Sequence, residues 1–193
     1  MKRLFDVAVS LLAIVVLSPL FGLITLAVKV TSAGPVFYRG ERIGRGGSSF
    51  RILKFRTMRA GASGPAVTRG GDARVTPTGR ILRRSKLDEL PQLVNVLRGD
   101  MTIVGPRPEA PEFVSLYTDD ERRVLTVRPG VTSPASLRYR REESLLGGDD
   151  WHDRYVNEIM RDKLRDDLHY IETRTFLGDL RLIVRTFASL FRP

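Results

Sequence analysis

The sequence predicts an α+β fold that is mostly helical and attached to a membrane through its N-terminus. An apolar run from Leu4 to Val28 contains a single charged residue, Asp6. Two short segments between residues 36 and 58 are rich in aromatic and branched side chains, with glycines between them, which is typical of a β-hairpin. Most later stretches carry apolar residues at helical spacing. With 193 residues and no internal repeat, the chain fits one domain plus an attachment.

The composition narrows the function without deciding it. The chain has no cysteine, which excludes disulfides, thiolate metal ligands and a cysteine nucleophile. Its formal charge of +10 points to a polyanionic partner, which could be nucleic acid, an acidic lipid surface or a phosphorylated substrate. Residues 31–60 hold seven Lys and Arg against one acid, Glu41, and they directly follow the apolar run. Much of the basic charge is therefore expected beside the membrane.

The apolar run is long enough to cross a bilayer, since about 20 apolar residues suffice. A cleaved signal peptide is disfavoured because no small-x-small site follows Val28. Lys2 and Arg3 precede the run, and Lys29 with the basic block follows it, so both flanks favour the cytoplasmic side. A helix that enters the bilayer, turns and leaves on the same side satisfies both flanks.

Ser18 and Pro19 lie halfway along the run and predict its break. Proline lacks a backbone N–H and disrupts a helix interior, while the Ser18 hydroxyl can bond a freed backbone group. The break fits a re-entrant helix-break-helix, and it fits a kinked single span equally well. The residues alone leave both alternatives open, with residues 1–30 as the membrane segment and 31–193 as the domain outside it.

The later elements follow from local patterns. VFYR and SSFRILKFRTM predict the hairpin, residues 60–78 a glycine-rich loop, and the stretch from Thr78 a helix that runs to Pro91. QLVNVLRGDM predicts a second short helix, PEFVSLYTDDERRVL one or two more, and RPGVTSPAS a turn. Residues 153–175 and 176–191 predict two further helices. The apolar stripe of the last one fits a core helix or an amphipathic helix on the membrane surface.

Asp88 and Glu89 are the candidate catalytic pair. Adjacent acids on a regular helix point about 100° apart and cannot normally serve one site, but the break at Pro91 changes their placement. If a new helix starts there, both carboxylates lie near its positive N-terminal end. A carboxylate can act as a nucleophile and form an acyl-phosphate. The alternative for an isolated Asp-Glu dipeptide is a plain helix cap.

Basic residues near turns and prolines favour phosphate chemistry, because forked guanidinium groups suit phosphate oxygens. The candidates are Lys54, Arg56, Arg83, Arg84, Arg107 and Arg128. No GxxxxGK[ST] or GxGxxG motif supports an ATPase or a nicotinamide enzyme. His152 and His169 are too few for a zinc site. Mg²⁺ needs only one or two carboxylates plus substrate phosphates, which suits Asp88, Glu89 and Asp167.

Together, the segments KRLFD, LSP, KFRTM, LDELPQL, GDM, VGPRP and RPG resemble, in this order, the bacterial sugar transferases, the monotopic phosphoglycosyl transferases. The resemblance covers nearly the whole chain. It implies transfer of a sugar 1-phosphate from a UDP-sugar to a polyprenyl (undecaprenyl) phosphate, with release of UMP, as the first step of surface glycan (exopolysaccharide) synthesis. It also implies a bacterial inner (cytoplasmic) membrane location, a catalytic domain on the cytoplasmic face, and a re-entrant helix broken at Ser18-Pro19.

The resemblance also implies roles for individual residues. Asp88 matches the nucleophile that forms a covalent phospho-sugar intermediate, and Glu89 its partner in Mg²⁺ binding or proton transfer. Lys54 matches the basic residue of KFRTM, where Arg56 also lies, and Asp167 an acid of a D-x-x-Y-V pattern in which Ile171 here replaces valine. Phosphate contact is the hypothesis for the arginines of VGPRP and RPG, Arg107 and Arg128, and substrate binding is the hypothesis for Arg84.

The chain departs from the family pattern after RPG. Many members read ITGWAQ followed by GR, whereas this chain reads VTSPASLRYRREE, so Arg138 or Arg140 is expected to take over an anionic contact. Larger members carry extra membrane helices before this region, and the chain is expected to be a minimal catalytic form. The expected partners are the UDP-sugar, the polyprenyl phosphate and membrane lipids but no nucleic acid; the sequence leaves open whether a homodimer forms.

Two rival functions remain open. A membrane-anchored basic module that binds anionic lipid or nucleic acid without catalysis explains the charge but not the acids beside Pro91. A glycosyl transferase that moves the sugar alone would release UDP instead of UMP.

Overall fold

The computed structural model describes residues 1–65, 67–148 and 150–190. The chain is mostly helical, with two small two-stranded sheets. The helices are α1 Lys2–Val16, α2 Ser18–Thr31, α3 Pro77–Ser85, α4 Gln92–Arg98, α5 Pro111–Val114, α6 Pro134–Arg138, α7 Glu142–Leu145, α8 Trp151–Arg154, α9 Met160–Thr173 and α10 Phe176–Leu190. The strands are β1 Phe37–Ile43, β2 Ser49–Phe55, β3 Thr102–Val104 and β4 Gly130–Thr132. Short 3-10 helices cover Arg45–Gly47, Leu87–Glu89 and Glu121–Thr126, and a π-helical turn covers Tyr155–Ile159.

The N-terminal apolar run forms two helices that meet at Leu17, with an angle of 63° between them. The Ser18 hydroxyl donates to the carbonyl oxygen of Val15 at 2.8 Å, and Pro19 lies in the first turn of α2, where a missing N–H costs little. The predicted break is confirmed. In the described part of the chain, neither helix alone has the length and hydropathy to cross a membrane, and only the bent pair together does.

The start of α1 is tied to the rest of the chain by its charged residues. Asp6, the one charge in the apolar run, is buried and accepts from the Thr102 hydroxyl at 2.5 Å. Arg3 donates to the carbonyl oxygen of Val96 at 2.6 Å, at the end of α4. Lys2 donates to the carbonyl oxygen of Val104 at 3.0 Å. The helix pair is therefore held against β3 and α4 at its basic end, while many of its apolar side chains further along are exposed.

The predicted hairpin is confirmed as an antiparallel pair in which Gly40 faces Ile52. Phe55 at its end is buried and packs against Phe21 of α2, with 5.4 Å between ring centroids. On the other side Asn95 of α4 accepts from the Leu53 N–H at 2.9 Å. The hairpin thus lies between the N-terminal helices and α4. The predicted loop at residues 60–78 is irregular where it is described, up to the start of α3.

The helix predicted from Thr78 to Pro91 ends earlier than expected. It starts at Pro77 behind the Thr76 cap and stops at Ser85, because Lys86 adopts a left-handed conformation with φ of 58°. Asp88 and Glu89 therefore lie on a separate 3-10 turn rather than on a continuous helix. A β-carbon at Gly79 would lie 2.0 Å from the Thr57 carbonyl oxygen, so only glycine allows α3 this close to the end of the hairpin.

The turn predicted for RPGVTSPAS is wrong in part. Its middle forms β4, which pairs in parallel with β3, and its end begins α6. Three-residue strands between prolines are too short to show an alternating pattern, so they could not be predicted from the sequence. The strands hold the segment after β3 beside α6, where part of the candidate site lies.

The C-terminal helix α10 is confirmed. Part of its apolar stripe is exposed and part packs against the core. Phe176, Leu177, Val184 and Phe187 are 51, 57, 66 and 62% exposed, whereas Ile183 packs against the buried core. Phe176 also contacts Phe5 of α1, with 5.2 Å between ring centroids. An exposed apolar face next to the N-terminal pair favours the membrane-surface alternative over a core helix.

Candidate active site

A cavity of about 620 Å³ opens where the N-terminal pair, the hairpin, the 3-10 turn and α10 meet. Its charged lining comes from β2, α3, the turn at Leu87–Glu89 and the segments after β3 and α6. One of its walls is apolar and is formed by side chains of α1 and α10. The residues of that wall are Val9, Ala13, Leu17, Ile183, Phe187 and Leu190. The cavity therefore joins a site for charged groups to a path for an apolar chain.

Glu89 is held by two cations in the cavity wall. Its Oε1 accepts from Lys54 Nζ at 2.7 Å and from an Arg107 guanidinium nitrogen at 3.2 Å. Burial alone would raise the pKa of this carboxyl, but Lys54, Arg107 and Lys86 outweigh it and hold the pKa well below its usual range. Glu89 is therefore ionised, and it fixes both cations beside its neighbour in the chain.

Asp88 is only 5% exposed, and its Oδ1 has no hydrogen-bond partner in the described part of the chain. Burial raises the pKa of this carboxyl to about 6, with Lys54 lowering it and Glu89 raising it further. An unsatisfied buried carboxylate oxygen is costly, so such atoms are rare unless they serve a purpose. In a cavity lined by cations, Asp88 has the arrangement that a carboxylate nucleophile for phosphorus needs.

Local backbone geometry aims the pair. Lys86 is the one non-glycine residue with positive φ among those described, and such strain often marks functional sites. Lys86 ends α3 and begins the 3-10 turn, which directs Asp88 and Glu89 towards the cavity. Pro91 then precedes α4, and Asn95 of α4 bonds both Leu53 and Arg51 of β2. The strand that carries Lys54 is thus fixed relative to the turn that carries the two acids.

The two carboxylates fit a magnesium ion by donor type. Mg²⁺ accepts one or two carboxylate oxygens and takes its remaining ligands from water and phosphate. Asp88 offers an oxygen that has no partner among the described residues, and Glu89 lies next to it in the chain. Among the described residues no group of three or more acidic or histidine side chains is arranged to hold a metal by itself. A bound Mg²⁺ would therefore depend on the substrate for further ligands.

The structure brings together four of the predicted site residues: Lys54, Asp88, Glu89 and Arg107. Asp167 is buried behind them and accepts from the Arg107 N–H at 2.9 Å, which positions Arg107. Burial raises the pKa of the Asp167 carboxyl to about 6, although the hydrogen bond from Arg107 opposes this.

The other predicted arginines have different surroundings. Arg56 reaches the cavity wall but is buried, and it donates to the carbonyl oxygens of Ser32 and Ala33 at the end of α2. Arg84 is exposed on α3 and lies outside the cavity wall. Two more lie away from the cavity lining: Arg128 donates to the Gly99 carbonyl oxygen at 2.9 Å, and Arg138 pairs with Asp166 at 3.2 Å. These four arginines thus contact other protein groups or solvent, and none of them lies beside Asp88.

Arg83, one of the candidate phosphate ligands, also reaches the site. It lines the cavity, pairs with Glu143 and contacts the Thr57 hydroxyl at 3.3 Å. Its place on the inward face of α3 follows from helical phase. Other charged residues of the wall were not among the candidates. Lys86, Glu109, Glu142 and Lys163 also line the cavity, and only tertiary packing brings them there.

The segment that departs from the family pattern also belongs to this site. The cavity lining includes Ser136, Tyr139, Arg140, Glu142 and Glu143. The Gly70 N–H donates to the Glu143 carbonyl oxygen at 2.9 Å, and the Arg69 guanidinium lies 5.7 Å from the Trp151 ring centroid. The first contact docks the loop before α3 on the divergent segment, and the second docks it on α8. Trp151 thus helps to hold this loop in place.

Comparison with known proteins gives a consistent result. The sequence model of a family described as bacterial sugar transferase matches residues 1–193. The chain is 42% identical to the UDP-glucose:undecaprenyl-phosphate glucose-1-phosphate transferase of Caulobacter vibrioides, over 98% of this chain and 69% of that protein. It is 36% identical to the exopolysaccharide production protein ExoY of Sinorhizobium fredii, over 98% of this chain and 84% of that protein. It is 32% identical to an undecaprenyl-phosphate N-acetylgalactosaminephosphotransferase of Aeromonas hydrophila, over 98% of this chain and 43% of that protein.

Proposed function

The chain belongs to the bacterial sugar transferase family, and on this premise we propose that it moves a sugar 1-phosphate from a UDP-sugar to a polyprenyl phosphate and releases UMP. The observation that carries the proposal is the buried carboxylate of Asp88, one oxygen of which has no partner in the ranges that the structure describes. It lies in a cavity with cations around it and an apolar wall beside it. Two of the relatives, those of Caulobacter vibrioides and Aeromonas hydrophila, are named for transfer of a sugar phosphate from a UDP-sugar to undecaprenyl phosphate. The product would start an exopolysaccharide or another surface glycan.

In the first half of the proposed reaction, an Asp88 oxygen attacks the β-phosphorus of the UDP-sugar. The bond from that phosphorus to the bridging oxygen breaks, and UMP leaves with the electron pair. Lys54 and Arg107 lie at Glu89 and can bind the charged oxygens of the diphosphate. Because phosphoryl transfer depends mostly on positioning and electrostatics, these fixed cations supply much of what the step requires.

In the second half, an oxygen of the polyprenyl phosphate attacks the same phosphorus. The bond to Asp88 breaks, the carboxylate is restored, and the sugar leaves on a polyprenyl diphosphate. A covalent intermediate of this kind lets the soluble donor react and depart before the lipid arrives. Asp88 and Glu89 would hold a Mg²⁺ ion, whose charge would offset the negative charge of the phosphate groups.

The acceptor is proposed to enter along the apolar wall between α1 and α10. The two helices touch through Phe5 and Phe176, and both expose apolar side chains beyond the contact. We propose that α1 and α2 form a re-entrant pair in the bacterial inner membrane, with the catalytic domain on its cytoplasmic face. The basic residues after α2 would then meet anionic head groups, each contributing about 1 kcal/mol of attraction.

The re-entrant placement predicts that both ends of the helix pair lie on one side of the membrane. The chain has no cysteine, so single cysteines at Lys2 and Thr31 can be labelled without interference. In inside-out vesicles prepared from the inner membrane, both cysteines are expected to react with a membrane-impermeant thiol reagent. A pair in which only one site reacts would mean that the helices span the bilayer.

The nucleotide product tests the proposed reaction. Purified protein in detergent is incubated with Mg²⁺, polyprenyl phosphate and a panel of UDP-sugars, and the released nucleotide is identified. UMP is expected with at least one sugar, together with a polyprenyl diphosphate sugar. UDP would indicate transfer of the sugar alone, and no release from any donor would favour a binding module without catalysis.

A further inference from the structure

A second charged network forms part of the cavity wall beyond Arg107. Lys163 of α9 is almost fully buried and donates to Glu109 Oε1 at 3.0 Å and to Glu142 Oε2 at 2.9 Å. The Tyr155 hydroxyl donates to Glu109 Oε1 at 2.8 Å. Burial opposes ionisation of Glu109, but Lys163 outweighs it and lowers the pKa of this carboxyl. Both carboxylates are therefore held in fixed positions by a shared cation.

Each of these carboxylates keeps one oxygen available. Glu109 Oε2 and Glu142 Oε1 accept no hydrogen bond from residues in the described ranges, and both side chains line the cavity. Neither oxygen is among the fully buried side-chain atoms of the described residues that lack a partner, so both can be reached from the cavity. Here one oxygen of each carboxylate is left for a donor that comes from within the cavity.

The position of the network relative to the reacting phosphorus limits what that donor can be. Glu109 follows Arg107 by two residues, and Arg107 contacts Glu89 beside the nucleophile. In a UDP-sugar the sugar is attached to the β-phosphate that Asp88 would attack, whereas the ribose is separated from it by the α-phosphate. Two carboxylates would repel a phosphate placed against them. This arrangement favours a neutral group that is rich in hydroxyls and attached directly to the β-phosphate.

Building on the proposed function, we propose that Glu109 and Glu142 bind hydroxyl groups of the sugar of the donor and so select among UDP-sugars. Hydroxyl groups donate well to carboxylate oxygens, and these charge-assisted bonds are stronger than neutral ones. Lys163 and Tyr155 are positioning residues that fix the two acceptors. The site favours a neutral sugar and disfavours a uronic acid. Glu142 comes from the segment in which the chain departs from the common family pattern, as a residue that adapts the site to one sugar would.

The test removes one hydroxyl of the UDP-sugar and one carboxylate of the protein at a time. The best UDP-sugar of the panel is compared with analogues that lack a single hexose hydroxyl and with the analogue that lacks the ribose 2′-hydroxyl. Wild-type protein, Glu142→Gln and Glu109→Gln are measured with each donor. Glu121→Gln is the matched control, because Glu121 pairs with Arg161 outside the cavity wall.

For wild-type protein, deleting at least one hexose hydroxyl is expected to lower kcat/KM about tenfold or more, since a site built to bind a hydroxyl rejects analogues that lack it. In Glu142→Gln or Glu109→Gln the same deletion is expected to lower kcat/KM less than about threefold. The Glu121→Gln control should keep the wild-type ratio of kcat/KM between the donor and its analogue. The comparison is made between donors within each variant, so a partly unfolded variant does not distort it.

If the ratio of kcat/KM between the donor and each analogue is the same in the wild type and in both variants, this assignment is overturned. It is also overturned if only the ratio for the ribose analogue changes, because the ribose would then lie against the carboxylates. These results presuppose that the wild type releases UMP. A wild type that releases none from any donor overturns the proposed function instead, so the two failures are distinguishable.

Discussion

Asp88→Asn is expected to abolish UMP release, with a fall on the order of 10³-fold or more, because an amide cannot replace the carboxylate as the nucleophile. The substitution preserves the shape of the side chain, and the cavity around it should be unchanged. Steady-state UMP release with the best donor and polyprenyl phosphate measures the effect.

The same variant should fold at least as well as the wild type. Burial raises the pKa of Asp88 to about 6, so keeping it ionised at pH 7 costs stability that a neutral side chain does not. A Tm equal to or above that of the wild type would separate loss of chemistry from loss of structure. Asp119→Asn, at an exposed position outside the cavity wall, is the control and should retain full activity. Asp88→Asn protein with more than a tenth of wild-type activity would exclude Asp88 as the nucleophile.

Glu89→Gln is expected to lower kcat by about 10²-fold and to raise the Mg²⁺ concentration needed for half-maximal rate. Glu89 is the shared partner of Lys54 and Arg107, and its loss leaves two cations side by side with no charge between them. Both cations would move from the positions in which they bind the diphosphate. Mg²⁺ would lose one of its two carboxylates. Kinetics over a range of Mg²⁺ concentrations measure both effects.

The stability of Glu89→Gln should change in the direction opposite to that of Asp88→Asn. The pKa of Glu89 is held well below its usual range, so its ionised form stabilises the fold at pH values above the unfolded pKa. The neutral variant should therefore have a lower Tm at pH 7. Glu158→Gln, at an exposed pair with Arg154, is the control and should leave Tm and kcat nearly unchanged. An unchanged kcat in Glu89→Gln would contradict the assigned role.

The parts of the fold that local chemistry determines were predictable. Ser18-Pro19 marks the break between α1 and α2, and the spacing of aromatic residues and glycines marks the β-hairpin. The early end of α3 was not predictable, because lysine, unlike glycine or asparagine, does not favour the left-handed conformation that Lys86 adopts. Tertiary packing at the turn imposes it. The β3–β4 pair was missed for a related reason, since three residues carry too little pattern.

The site divides in the same way. Asp88 and Glu89 stand out beside Pro91, and the resemblance to a family indicates their roles together with Lys54 and Arg107. Arg56 and Arg128 looked like phosphate ligands because they are basic residues near turns, yet each bonds backbone carbonyl oxygens instead. Basic side chains near a turn serve either purpose, and only the fold decides between them. Glu109 and Glu142 come from different segments, and the pattern of neither one points to Lys163 as their shared partner.

Release of UMP in the absence of acceptor lipid tests the central claim most directly. The nucleotide assay is run with the wild type, Mg²⁺ and the best UDP-sugar, but without polyprenyl phosphate. We expect about one molecule of UMP per protein molecule, with the phospho-sugar recovered on Asp88, and continuous release only after lipid is added. If no UMP appears without lipid while turnover with lipid is normal, the sugar phosphate passes directly to the lipid, and the covalent role of Asp88 is contradicted.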